Sequence, residues 1–373
     1  ISLIMQKLLS ISIASFFLIC FPAQSIEITK DLKLLDLSKV NEESCRYAGR
    51  GALTLNKNFS DFIQGYEEPL AIDGASAFIE DNTAYLNNAL AGYSSEKEDG
   101  IFKKRLVDLS ISNSFKKVDW TEKGGSSPSF VTNILIKSLA YSTSYLRNKN
   151  KLNKEEINQL NIYVEDLKKN SYLADARIKN KDAGRYKSIS GDDTKYFTID
   201  TKFARATSFI MWGAAINDKK LFVEGYEIYM NLMKTLDKKK FFEKKLRGNN
   251  EVIQHVIQGA EVLRLNGFNI YNTKFKNGSL RDQLETHAKR LIKNNNKEIA
   301  GLDPDAGKTS IVKTRGYGAH VAWIPFYLND EKNNTENIQK VHEIATGFSL
   351  DDYSGGALAI HSGCLYGKNY IRY

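Results

Sequence analysis

Between Ala204 and Ile216 the chain is almost wholly apolar, and Arg205 is its one charge. A helix with no polar face has nothing to offer water, so it must be covered by neighbours all round. The flanking sequence supplies such neighbours. Apolar residues recur at helical spacing in Val131–Arg147 (Ile134, Leu135, Leu139, Tyr145), in Lys154–Lys169 (Ile157, Leu160, Val164, Leu167) and in Lys219–Leu236 (Leu221, Tyr226, Tyr229, Met233). Further helices are expected over Val252–Leu265, Arg281–Asn294 and Glu336–Ala345. Asn153 is placed to cap the second of these segments. Asn266-Gly267 is a stop signal, because glycine takes the left-handed backbone that ends many helices. An inner apolar helix among amphipathic hairpins predicts an all-α protein, a toroid or a layered bundle.

Two stretches break the pattern. Lys179–Thr198 is polar, carries Asp182, Gly184, Gly191, Asp192 and Asp193, and has no helical period. It reads as a long loop, either one that covers a ligand or a disordered surface insertion, and Tyr196 within it is a candidate substrate contact. Asn294–Thr314 and the Gly- and Tyr-rich tail Ser349–Tyr373 read as irregular.

Residues 1–25 read as an export signal. Lys7 gives the positive start, Leu8–Phe21 the apolar run and Ala23-Gln24-Ser25 the small-residue cleavage site. The run is short beside the roughly 20 residues of a membrane span, so no membrane association is expected after cleavage. A lipid anchor at Cys20 is the alternative. The expected organisation is therefore a signal over 1–25 and a single domain over 26–373, acting as a monomer in the periplasm. Cys45 and Cys364 remain, and in an oxidising compartment they either pair or stay as separate thiols.

Charge narrows the partner. The chain has 53 Lys+Arg against 44 Asp+Glu, a formal +9. An exported basic protein suits an anionic partner. Its lysines are scattered over helices rather than clustered, which favours an acidic glycan over nucleic acid. No nucleophile elbow, phosphate-binding glycine loop or dinucleotide fingerprint is present, and no histidine pair stands at metal-ligand spacing. Neither a metal nor another cofactor is expected. No acidic pair stands out for a glycoside hydrolase.

Several patches resemble the periplasmic alginate lyases, the poly(mannuronate) lyases. They are Asn217-Asp218-Lys219-Lys220-Leu221-Phe222, the loop Lys239–Arg247, and His255 with the helix that leaves through Asn266-Gly267-Phe268-Asn269-Ile270-Tyr271. Ala322-Trp323-Ile324-Pro325-Phe326-Tyr327, Gly355-Gly356 and Leu365-Tyr366 follow in the same order. Lys123-Gly124-Gly125-Ser126 is similar to the family's turn before a long helix. The resemblance covers roughly residues 115–366. It implies an α/α toroid, an incomplete helical barrel of antiparallel hairpins, and β-elimination on an acidic polysaccharide such as alginate. Arg247 matches the family's catalytic arginine. Thr201 and Lys202 stand where the family has an Asn-His pair, and Gln254 where it has a tyrosine.

Eliminative cleavage needs a cation to neutralise the carboxylate beside C5, a base for the C5 proton and an acid for the leaving oxygen. Arg247 suits the first task, since a guanidinium grips a carboxylate through two parallel hydrogen bonds. Asn250, at the start of the next helix, is its supporting donor. His255 is the candidate base, because an imidazole titrates near neutrality. Glu251 and Gln258 share a polar stripe with it, opposite Val252, Val256, Ala260 and Leu263. Tyr317, between two glycines, is the candidate acid. Arg315, His320, Lys202, Arg205 and Trp323 join Tyr196 as candidate substrate contacts, Trp323 as a stacking platform. His287 and His342, on charged helices, are expected at the surface, and His361 is a weaker site candidate. A glycan-binding protein without turnover, or a glycoside hydrolase on a similar toroid, are the alternatives.

Overall fold

The computed structural model describes residues 28–36, 38, 96–112, 128–179, 199–238, 246–294, 323–345, 354–355 and 360–361. The chain divides into two units, Ile1–Asp31 and Leu32–Tyr373. In the first, residues 28–31 are described and form neither helix nor strand. The second unit carries the described helices and strands.

Its described residues form nine α-helices: α1 (Glu96–Ser112), α2 (Pro128–Asn148), α3 (Lys154–Lys179), α4 (Ile199–Ile216), α5 (Lys219–Lys238), α6 (Leu246–Leu265), α7 (Leu280–Asn294), α8 (Ile324–Leu328) and α9 (Glu336–Ala345). Two short antiparallel hairpins accompany them, β1 (Lys274–Phe275) with β2 (Gly278–Ser279), and β3 (Ser354–Gly355) with β4 (Ile360–His361).

The expected inner helix is α4. Every residue from Phe203 to Ala215 is buried, and α4 packs against α2, α5 and α6. Glycine sets how closely. A Cβ on Gly213 would lie 2.6 Å from the Phe222 backbone nitrogen of α5, and one on Gly225 of α5 would lie 2.7 Å from that of Ile210. The two helix backbones therefore touch at two levels, with no room for a methyl group. On α6, Gly259 lies under the Tyr229 ring, where a Cβ would approach to 2.8 Å. The Tyr229 hydroxyl donates to the Val256 carbonyl at 2.7 Å, which ties α5 to α6.

The helix ends are built as the sequence implies. Asn153 caps α3 reciprocally: its Oδ1 accepts from the Glu156 amide, and its own amide donates to Glu156 Oε2. Asp218 accepts from the Leu221 amide at the start of α5. At the end of α6 the Gly267 and Phe268 amides donate back to the Arg264 and Leu263 carbonyls, with Gly267 at φ +90°. Asn150 (φ 54°) and Asn217 (φ 61°) end α2 and α4 in the same left-handed way.

Those ends also hold a strap. Leu32, Leu34 and Leu35 are buried. The Leu32 amide donates to Asn217 Oδ1, and Asn266 both accepts from the Lys33 amide and donates to its carbonyl. Arg147, at the end of α2, donates to the Leu32 carbonyl and to Ala214 of α4, each at 3.1 Å. Near the other end of the chain, Glu261 of α6 holds Arg264 through both carboxylate oxygens and also accepts from Asn329, which follows α8.

The sequence expectation is corrected in a few places. The helices reach further than the apolar periods: α3 runs to Lys179 and α6 starts at Leu246. Helix α1 was not anticipated. The expected loop beyond Lys179, the segment Asn294–Thr314 apart from Asn294, most of the tail, Cys20, Cys45 and Cys364 lie outside the described residues. No described helix is long and apolar enough to cross a membrane.

Gly225→Ala is expected to cost about 1–3 kcal/mol through overpacking, despite its better helix propensity. Gly100→Ala, at an exposed position of α1 with nothing near its Cβ, should instead stabilise by up to about 1 kcal/mol. Urea unfolding of both variants tests the contrast. Arg147→Ala should speed amide hydrogen exchange at Leu32, Lys33 and Leu34, because the guanidinium bridge from the Leu32 carbonyl of the strap to the Ala214 carbonyl of α4 goes with it; unchanged exchange would refute the strap's anchoring.

Candidate functional site

Where α2, α4 and α6 face one another, the interior is polar. Asn133, Lys137 and Tyr141 follow one another at four-residue spacing along α2, so they form one stripe, and all three are buried. Each is bonded across to another helix, and two clusters result.

The first joins α2 to α6. Lys137 is 0% exposed, with its Nζ 3.0 Å from His255 Nδ1 and 2.7 Å from Gln258 Oε1. Gln258 Nε2 in turn donates to the Tyr141 hydroxyl at 3.2 Å. His255 is also 0% exposed, and its ring meets the Phe130 ring edge-on at 5.7 Å. Its backbone carbonyl accepts from Thr207 of α4. Its Nε2 has no hydrogen-bond partner among the described residues. Burial pushes the His255 pKa well below its usual range, and the neighbouring Lys137 charge pushes the same way. Burial likewise lowers Lys137 well below the ordinary lysine value.

The second joins α2, α3 and α4. Ser208 of α4 and Tyr172 of α3 both donate to Asn133 Oδ1, at 2.6 and 3.3 Å. Arg205 is 4% exposed, with its guanidinium carbon 5.0 Å from the Phe209 ring centre and 5.8 Å from that of Tyr172. Its Nε has no hydrogen-bond partner among the described residues. Burial raises the Tyr172 pKa to about 12, against the opposing pull of Arg205.

These placements revise several expectations. The stripe of His255 and Gln258 does not face solvent opposite an apolar side: both residues are buried, as are Val252 and Val256. Trp323 is buried too, packed edge-on against Tyr327 at 5.6 Å and near His287 at 6.3 Å, so it belongs to the core rather than to a sugar-stacking platform. His287 is buried against it, not at the surface, and His342 is half-buried. Lys202 is half-buried, while Arg205 lies inside the structure rather than on an open wall. Arg247 and Asn250 fall within α6, on its second and fifth residues, and their side chains lie outside the described residues. Helical rotation puts Arg247, Glu251, His255 and Gln258 along one side of α6, with Arg247 and His255 about 12 Å apart in rise. Asn250 stands about 140° around the helix from His255. Tyr196, Arg315, Tyr317 and His320 lie outside the described residues, and His361 is described only as part of β4.

Lys137 was missed. Its signal was a lone lysine among Ile134, Leu135, Ile136, Leu139 and Ala140, in a helix with little polar surface to spare. Among the described residues no group of three or more His, Cys, Asp or Glu stands close enough to hold a metal ion.

No protein-family model and no curated protein sequence matches the chain. Solved structures do. A tyrosine-to-phenylalanine variant of alginate lyase A1-III, complexed with a tetrasaccharide, matches at a TM-score of 0.52 and 12% identity, over 78% of this chain and 77% of that one. A histidine-to-alanine variant of the same enzyme, also complexed with a tetrasaccharide, matches at 0.52 and 12%, over 78% and 75%. Alginate lyase A1-III from Sphingomonas species A1 matches at 0.51 and 11%, over 78% and 76%. The fold is thus all-α, an α/α toroid like that of these enzymes.

The buried imidazole has a stability consequence. The unfolded chain takes up the His255 proton near the ordinary value of 6.5, at pH values where the folded protein does not. Stability therefore falls as the pH drops through 6.5, by up to about 1.4 kcal/mol per unit for this group. Urea unfolding from pH 7 to 5 should show the loss, and His255→Gln should remove its share; equal slopes in both proteins would contradict the assignment.

Proposed function

We propose that the chain binds an acidic, uronate-containing polysaccharide such as alginate and cleaves it by β-elimination. The observation behind this reading is the toroid match over 78% of the chain to enzymes complexed with a tetrasaccharide, joined to an interior seam where a buried lysine meets an imidazole. The formal +9 charge points the same way.

In this reading Arg247 neutralises the sugar carboxylate, with Asn250 as a supporting donor. His255 removes the C5 proton through Nε2. Tyr317 protonates the departing oxygen as the C4–O bond breaks and the C4–C5 double bond forms. Lys202, Arg205, Arg315, His320 and Tyr196 bind the remaining sugar units. The protein works as a monomer in the periplasm, as one domain over 26–373 released from a signal over 1–25.

The complete burial of His255 favours a second reading, an acidic-glycan-binding protein without turnover. Incubation with a panel of polyuronates separates the two. Elimination produces an unsaturated sugar and rising ultraviolet absorbance, and Arg247→Ala and His255→Ala should each slow it by about 100-fold or more. Binding without absorbance supports the second reading. New reducing ends without absorbance would mean hydrolysis, and no binding to any polyuronate would overturn both.

A further inference from the structure

We propose that Arg205 anchors a carboxylate subsite that grips one uronate unit side-on, through its Nε–H and one neighbouring N–H, with Lys168 and Lys202 as the outer rim. This rests on the acidic-glycan reading above, with or without turnover. It names the group that recognises the acid at a sugar unit away from the bond that breaks.

Arg205 and Phe209 stand four residues apart on α4, so they share one side of the helix. The guanidinium carbon lies 5.0 Å from the Phe209 ring centre and 5.8 Å from that of Tyr172 on α3. Two aromatic faces offset part of the cost of burying a cation. They do not satisfy the donors along its edge, and arginine cannot shed a proton to escape the cost, as a lysine can. Nε–H is buried and has no hydrogen-bond partner among the described residues. That atom is informative because Nε–H and the adjacent terminal N–H form a side-on fork. A planar anion with two oxygens takes both in parallel, which is the geometry of a carboxylate.

The neighbouring polar groups are committed elsewhere. Tyr172 is held at about 12, so it stays a neutral phenol, and its hydroxyl donates to Asn133 Oδ1. Ser208 donates to the same oxygen and to the Arg205 backbone carbonyl. The Glu165 carboxylate of α3 accepts from Lys168 at 2.6 Å.

Lys168 and Lys202 lead from the surface toward this point. Lys168 Nζ lies 4.4 Å from the Phe209 ring centre, so two cations share one ring. Its side chain is 11% exposed and that of Glu165 is 51% exposed, so this edge of the cluster reaches water. Lys202, one turn before Arg205 on α4, is half-buried. Such a gradient of positive charge draws an anion inward. At Arg205, only 4% exposed, a carboxylate leaves most of its water behind, and a charge-assisted hydrogen bond gains strength in that setting. Arg247 is assigned to the unit that reacts. A subsite beyond that unit holds ground state and transition state alike, so it sets KM rather than kcat.

Proton–nitrogen NMR of the full chain, labelled with nitrogen-15 arginine, tests the subsite directly. The Arg205 Nε–H signal is recognised by the ring-current shift that Phe209 and Tyr172 impose, and its loss in Arg205→Lys confirms the assignment. Titration with free mannuronate, which has no glycosidic bond to eliminate, should move this signal saturably. Mannose, the neutral counterpart, should leave it in place, and acetate at equal ionic strength should bind at least about 10-fold more weakly. No saturable shift with mannuronate, or an equal one with mannose, overturns the proposal; equal affinity for acetate overturns the uronate assignment. In the polyuronate assay Arg205→Lys, which keeps the charge over the rings but loses the fork, should raise KM about 10-fold with kcat changed less than about threefold. A loss confined to kcat overturns the subsite. A wild-type protein that shows the Arg205 shift but cleaves no polyuronate sinks the elimination reading alone, and one that cleaves without the shift sinks the subsite alone.

Discussion

Helix α4 is buried from Phe203 to Ala215 and packs directly on α2, α5 and α6, and the interior seam is built on that contact. Gly213 and Gly225 let the backbones of α4 and α5 meet without side chains between them. The two-residue link Asn217-Asp218 turns the chain back at once, so contact along the whole hairpin is built into its start. With α5 tight on one side, α4 turns its other sides to α2 and α6. Those helices bring Asn133, Lys137, His255 and Gln258 into the interior. A looser α4 would let water into that seam and remove the desolvation that perturbs the lysine and the histidine.

Polar groups inside a helical toroid are costly unless bonded. Most of those along the seam are paired: Asn133 with Ser208 and Tyr172, Lys137 with His255 and Gln258, Gln258 with Tyr141. Two atoms stand out, Arg205 Nε and His255 Nε2, each buried without a hydrogen bond among the described residues. One belongs to a permanent cation and the other to a base. A negatively charged sugar ring with an acidic C–H offers a partner for each, and this complementarity joins the architecture to the proposed chemistry.

Much of the fold was legible because helix signals are local. The one-charge stretch of α4, the Asn153 cap, the Asn266-Gly267 stop and the bounds of α9 all follow from neighbours within a few residues. What was not legible depends on distant partners. Lys137 meets His255 across 118 residues of sequence, and no periodicity reveals that. The strap at Leu32 is held by the ends of three helices, each recognisable alone but silent about what it grips. His287 and Trp323 mislead for a related reason. A histidine on a charged helix and a tryptophan in an aromatic patch look available until tertiary packing covers them. Helix α6 begins before its apolar period does, because Arg247, Gly248, Asn249 and Asn250 carry no periodic signal of their own.

The central claim is that the seam between α2, α4 and α6 takes an acidic sugar. A crystal structure of the protein with a short polyuronate tests it most directly. A sugar carboxylate should lie within hydrogen-bonding distance of Arg247 or Arg205, with a ring C–H facing His255 Nε2. A bound oligosaccharide on the outer surface of the helices, with the Lys137–His255 pair unchanged and enclosed, would contradict it.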